Sequence, residues 1–267
     1  MGGALGSSDY WLGTLVMLGR ILFWSFVGSV ASLAGGIILA VRKQKFTHHQ
    51  VLLLTSFAAG VILSTAFFDL LAEAVELAGN PASVWGWVVG GIVWLFLLEK
   101  SLIWYHHHHE EHAEHGKTVP WLLTAGDTIH NFVDGIVMAG SFLVSPGMGV
   151  VTSVAVAVHE IPHEMADFGM LLGRGWSPKK TILVNVASAA VSVIGALLVY
   201  WQRDWIEPWL PQLLAFSGGS FVYLACSDLI PEMHHDHRID KWSMVVQVMC
   251  FGAGLLIVWG LIRALEG

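Results

Sequence analysis

Apolar residues run along this chain in long stretches, and polar residues gather in the short gaps between them. About 20 consecutive, mostly apolar residues are enough to cross a bilayer as a helix. The pattern predicts eight such helices, over residues 13–41, 50–77, 83–105, 120–144, 147–174, 180–201, 211–233 and 242–264. The longest gap, 106–119, is rich in His and Glu, and none leaves room for a second, soluble domain. The expected fold class is an all-α membrane protein, with residues 1–267 forming one transmembrane domain and 106–119 a His-rich loop.

Composition agrees. Of 267 residues, 55% are hydrophobic and 12% charged, against about 25% charged in an ordinary soluble domain. Mean hydropathy is +0.65. A net charge of -7 with only 13 Lys and Arg excludes a nucleic-acid partner; the bilayer itself is the expected partner. Cys226 and Cys250 lie in apolar stretches and read as packing residues. Met1 to Tyr10 has no basic segment, so no cleavable signal peptide is expected.

Cytoplasmic loops of membrane proteins are enriched in Lys and Arg. The odd-numbered connections and their flanks hold Arg42, Lys43, Lys45, Lys100, Lys117, Arg174, Lys179, Lys180, Arg238 and Lys241. The opposite side holds only Arg203 and Arg263. The odd connections are therefore expected in the cytoplasm and both termini outside, in a plasma or inner membrane. Most of the 14 His also fall on that cytoplasmic side: His48 and His49, then His106, His107, His108, His109, His112 and His115, then His234, His235 and His237.

Helix 2 reads AAGVILSTAFFDLLAE from Ala58, and helix 7 reads SGGSFVYLACSDLIPE from Ser217. Without gaps, Gly60, Ala66, Asp69, Leu70 and Glu73 pair with Gly219, Ala225, Asp228, Leu229 and Glu232. The two helices run in opposite directions in this topology, so the repeat is inverted, as in many transporters. It implies a 3+2+3 arrangement with helices 4 and 5 as the unpaired centre.

Those two helices carry ionisable groups at membrane depth, where such groups are costly and mark function by default. Helix 4 contains Asp127, His130, Asn131 and Asp134 in DTIHNFVDG; helix 5 contains His159, Glu160, His163, Glu164 and Asp167 in HEIPHEMADFG. His130 and Asp134 are four apart, as are His159 and His163, so each pair shares one helix face. Asn131 and Glu160 lie on adjacent strips, and Glu164 is four after Glu160. At about 1.5 Å per residue, these residues lie roughly 15–20 Å into their helices, near the midplane. Pro162 cannot donate its backbone hydrogen bond and is expected to kink helix 5. Imidazole with carboxylate suits zinc, iron, manganese and related divalent ions; copper(I) would call for thiolate or thioether ligands.

Other acids extend the line. Asp69 and Glu73 end helix 2 on the outer side, and Asp228 and Glu232 end helix 7 on the inner side. With Asp127 and Asp167 they describe a pathway. Glu99 reads as paired with Lys100 or water. The loop HHHHEEHAEHG reads as a flexible, low-affinity metal collector.

At these motifs the sequence resembles the ZIP family of divalent metal transporters. HNFVDG from His130 and HEIPHE from His159 match its helix 4 and helix 5 signatures, the second in the form used by many animal zinc importers. The likeness covers nearly the whole chain. It implies import of Zn2+ (with Fe2+, Mn2+ or Cd2+ as further cargo) and no enzymatic activity. It also implies a binuclear site: His130, Asp134, His159 and His163 as the primary ligands, Asn131 and Glu160, with His163 shared, as the secondary ones. Glu164 stands where other subfamilies have Gly. Ser192 stands where some relatives have the Glu that completes the second site, which argues against a permanently occupied second metal. A homodimer and a sliding of one helix group against another are implied by the family alone.

One alternative comes from a different class. HEIPH satisfies H-E-x-x-H, the signature of a zinc protease with Glu160 as general base. Three features weigh against it: Pro162 inside the motif, ligand-rich HNFVDG before rather than after it, and acids lined across the membrane.

Overall fold

The computed structural model describes residues 7–42, 47–109, 118–234 and 241–266. They form eight long helical rods: α1 (Ser7–Arg42), α2 (His48–Thr65, continued by Ala66–Leu70 and Leu71–Leu77), α3 (Trp85–His109), α4 (Thr118–Val144), α5 (Pro146–Gly173), α6 (Pro178–Trp201), α7 (Leu210–Leu224, continued by Ala225–Leu229 and Ile230–His234) and α8 (Lys241–Glu266). Among the described residues no strand is present. In a bilayer every backbone polar group must be satisfied within the protein, and helices do this locally.

The starts of these helices are written in the sequence. Thr47 caps α2 in a reciprocal capping box with Gln50. Ser145 and Ser177 cap α5 and α6 through the amides of Met148 and Lys180, each followed by Pro at the first helical position. Gly175, at φ 85°, closes the α5–α6 turn in a conformation that a side chain would strain.

Among the described residues, six segments are long and apolar enough to cross a membrane: Thr14–Ile38, His49–Leu77, Pro81–Ser101, Pro178–Trp201, Arg203–His234 and Lys241–Leu265. α4 and α5, at 27 and 28 residues, are of similar length but carry the ionisable groups. Apolar side chains on the outer faces, among them Phe23, Leu183, Ile194, Val248 and Leu256, are exposed, as expected of surface that meets lipid.

α1 lies along α5 and α4 along α6, while α2 packs on α8 and α7 on α3. The last two crossings are close. Gly60 has no room for a Cβ against the Phe251 carbonyl, nor Gly254 against that of Phe57. Gly219 and Gly91 stand in the same relation to the carbonyls of Val88 and Phe216. The main apolar core joins Ala58, Ile62 and Leu70 of the α2 rod to Val137 and Met138, Val151 and Val156, Leu214 and Phe221, and Val258.

Two features were not foreseen. α2 and α7 each contain one π turn, Ala66–Leu70 and Ala225–Leu229, at positions the sequence repeat pairs. Such turns often mark functional sites in helices. α5 is helical on both sides of Pro162, as its expected span requires. The first four residues of the expected His-rich loop, His106 to His109, continue α3 as helix. His112 and His115 lie outside the described residues, as do His235 and His237. Both cysteines are free, and Cys226 is exposed rather than packed.

Candidate metal centre

The i, i+4 spacing of His130 and Asp134 on α4, and the adjacency of His159 and Glu160 on α5, bring four donors to one point. One ligand atom from each lies within 4.8 Å of every other. His130 Nε2 is 3.3 Å from Glu160 Oε1 and 3.8 Å from Asp134 Oδ2. His159 Nε2 is 3.4 Å from Asp134 Oδ2 and 3.6 Å from Glu160 Oε1. Tetrahedral ligands about 2.1 Å from a zinc ion stand about 3.4 Å apart, so these separations already match such a set.

His159 is oriented from behind: its Nδ1 donates to the Ala155 carbonyl at 3.0 Å. In the neutral ring this leaves Nε2 as the lone pair facing the cluster, the arrangement by which an outer partner sets a ligand's tautomer. Phe221 of α7 packs edge-on against the same ring, with centroids 5.8 Å apart.

A second group, Asp127, Glu160 and Glu164, also has one donor atom each within 4.8 Å. Glu160 belongs to both. Asn131 turns its amide back along α4 and donates to Asp127 Oδ1 at 3.0 Å and to the Asp127 carbonyl at 3.1 Å. It steadies that carboxylate. Asp127, read from sequence as a pathway acid, is thus the α4 member of this group.

His163 stands beside the first group, its ring 5.8 Å from that of His130 and 6.1 Å from that of His159. Its Nε2 is buried without a hydrogen-bond partner, as are Asp134 Oδ2, Asp127 Oδ2 and both carboxylate oxygens of Glu160 and of Glu164. Buried carboxylate oxygens without donors are costly, and a divalent cation is the natural compensation.

The other expected residues lie outside these two groups. Asp167 and Glu73 are half-buried, Asp228 and Glu232 are exposed, and Asp69 is 2% exposed. Glu99 is half-buried and accepts a 2.6 Å hydrogen bond from Tyr223 of α7, while Lys100 lies over Phe96. Ser192 is turned toward α1, sharing a hydrogen bond with Ser29 and donating to the Ala189 carbonyl.

Sequence reasoning missed Thr152, whose hydroxyl lies 3.2 Å from Asp69 Oδ2, and Ser141, whose Oγ is 3.0 Å from that of Thr152. A signal existed for Thr152: it stands seven residues before His159, on the same helix face. Nothing local points to Ser141.

The profile of a family described as ZIP zinc transporter matches residues 18–120 and 104–260. Human zinc transporter ZIP6 is 34% identical over 148 residues, covering 54% of this chain and 19% of that protein. Zinc transporter ZIP13 of Pongo abelii is 29% identical over 221 residues, 77% of this chain and 65% of the relative. The Bos taurus metal cation symporter ZIP14 is 34% identical over 155 residues, 55% of this chain and 30% of the relative. The chain thus spans about a fifth to two thirds of the length of these relatives. With the family profile matching most of its length, the chain belongs to the ZIP zinc transporter family.

Proposed function

We propose that this protein carries divalent metal ions across a membrane into the cytoplasm, with zinc as the first cargo and iron, manganese or cadmium as further ones. The observation that carries this reading is the pair of buried donor groups on α4 and α5, joined by Glu160. In this reading His130, Asp134, His159 and Glu160 bind the ion, with His163 beside them, and Asp127 with Glu164 offers a second position. The names of the relatives, zinc transporters and a metal cation symporter, support the cargo.

All eight rods span the membrane, as one domain over 1–267, in an inverted 3+2+3 arrangement. The packing supports this. Exchanging α1 with α6, α2 with α7, α3 with α8 and α4 with α5 turns the α2–α8 contact into α7–α3 and the α1–α5 contact into α6–α4. The paired π turns and reciprocal glycine crossings follow the same exchange. Both termini lie outside. The ion arrives by Asp69 and Glu73, passes the midplane donors and Asp167, and leaves by Asp228 and Glu232. The histidines of 106–119 collect it, and two copies of the chain associate.

The protease alternative gains no support from the geometry. Glu160 Oε1 stands 3.3 and 3.6 Å from the two imidazoles, a ligand's place rather than that of a base set to activate water.

The test is uptake of zinc, iron, manganese and cadmium into vesicles holding the purified protein, with a pH gradient imposed and removed. Uptake no faster than in protein-free vesicles, for every ion, would sink the proposal.

A further inference from the structure

Asp69 and Asp228 occupy the same position of their π turns, yet their surroundings differ. Asp228 is exposed; Asp69 is 2% exposed. Against Asp69 lies Thr152 of α5, whose hydroxyl donates to Asp69 Oδ2 at 3.2 Å. The same hydroxyl is 3.0 Å from Ser141 Oγ on α4, and Ser141 Oγ is 3.0 Å from the Val137 carbonyl. Both hydroxyl residues are fully buried. One short chain of polar contacts therefore ties α2 to the two helices that carry the metal donors.

Its position matters. Thr152 lies two turns ahead of His159 on the same face of α5. Ala155, between them on α5, belongs to one buried apolar cluster with Ala66, Met138 and Val151. Apolar side chains of this kind offer a hydrated ion no polar contact. On the other side of the donors, Asp127 and Asp167 are half-buried and His130 is 21% exposed.

We propose that Thr152 is the latch that keeps the Asp69 face closed. While its hydroxyl holds Asp69, the metal donors are reached only from the Asp228 face. Release of that contact lets α2 part from α4 and α5 and opens the other route. A buried carboxyl group that loses its hydrogen-bond donor is left with an unsatisfied oxygen, which is costly. The proposal rests on the transport reading and adds the residue that decides which face is open.

The test uses the full chain with Cys226→Ser, Cys250→Ser and a reporter, Ala155→Cys, placed between Thr152 and His159. The protein is sealed in vesicles, and a charged, membrane-impermeant thiol reagent is added to the Asp69 face. With Thr152 present, labelling is slow. Thr152→Val keeps the side chain's shape and removes the donor, and is expected to label roughly tenfold faster, as the loss of one buried hydrogen bond implies. Thr152→Ser restores the hydroxyl and the slow rate. Labelling of Thr152→Val at the parent rate would overturn the proposal, as would a Thr152→Ser protein that labels equally fast. Should Thr152→Val fail to fold, Asp69→Leu removes the acceptor of the same contact while filling its place; faster labelling supports the latch and an unchanged rate overturns it. Metal uptake is not read, so failure of the cargo assignment and failure of the latch are distinguishable.

Discussion

Nε2 of His130 and Nε2 of His159 face each other at 3.2 Å across the α4–α5 interface. Two ring nitrogens so close are compatible as a protonated donor with an acceptor, or as two ligands of one cation. The Ala155 carbonyl already takes the Nδ1 proton of His159, which makes Nε2 of that ring the lone-pair side. His159→Ala and His130→Ala are each expected to lower zinc affinity by more than about a hundredfold, above the 10–100-fold typical of losing only an outer partner. Calorimetry in detergent measures this, with helical content as the check that the protein still folds. Affinity unchanged in the double substitution would remove both residues from the site.

Glu160 belongs to both donor groups, whereas Glu164 belongs only to the second. Glu160→Gln should therefore weaken both positions, and Glu164→Gln only one. Counting bound ions per chain at saturating zinc separates the two variants. Equal losses in both would mean that the groups are not distinct.

The glycine crossings give a packing test. Gly254 has no room for a Cβ against the Phe57 carbonyl, while Gly252, on the same helix, has nothing within 4 Å. Overpacking against backbone costs about 1–3 kcal/mol. Gly254→Ala should lower the thermal midpoint in detergent clearly, Gly252→Ala hardly. Gly91→Ala, at the matching crossing of α7 on α3, should behave like Gly254→Ala. A harmless Gly91→Ala would argue against equivalent crossings in the two halves.

Much of this was legible in the chain. All eight apolar stretches became helical rods with ends displaced by a few residues, because a long apolar run in a bilayer has helix as its simplest way to satisfy the backbone. The D-L-x-x-E match aligned the two helices that each contain a π turn. The π turns were not legible, since hydropathy does not register one extra residue in a turn. The grouping of the buried donors also escaped. Spacing along each helix paired His159 with His163, but the angle between α4 and α5 brings Glu160 to His130 instead. Glu99 went to Tyr223, 124 residues away, a pairing that no local pattern announces.

The His-rich stretch should modulate transport without being required. Its first four histidines prolong α3, well away from the buried donors in sequence and beyond the apolar span ending at Ser101. Replacing His106 to His109, His112 and His115 with Ser is expected to leave substantial uptake and to reduce the number of weakly held ions. Complete loss of uptake in a folded, inserted variant would assign this stretch a necessary role.

Direction of transport depends on orientation, which rests on the charge bias and can be tested at exposed positions. Asp69 is a poor reporter because it is buried, so labelling there would report the gate rather than the topology. Asn80, in the turn after α2, and Ser177, in the turn before α6, are both exposed and lie on opposite faces in the proposed topology. Single cysteines at these positions, with Cys226 and Cys250 removed, should divide cleanly. A membrane-impermeant reagent added outside intact cells should modify position 80, and position 177 only after the inner face is opened. The basic residues of the α5–α6 turn, Arg174, Lys179 and Lys180, then stand in the cytoplasm, with Lys180 stacked on Trp176 at 3.5 Å at the membrane boundary. Asp228 and Glu232 would share that face, and uptake would run toward them. The reverse labelling pattern would place Asp69 inside, turn the proposed importer into an exporter, and move the latch at Thr152 to the cytoplasmic side.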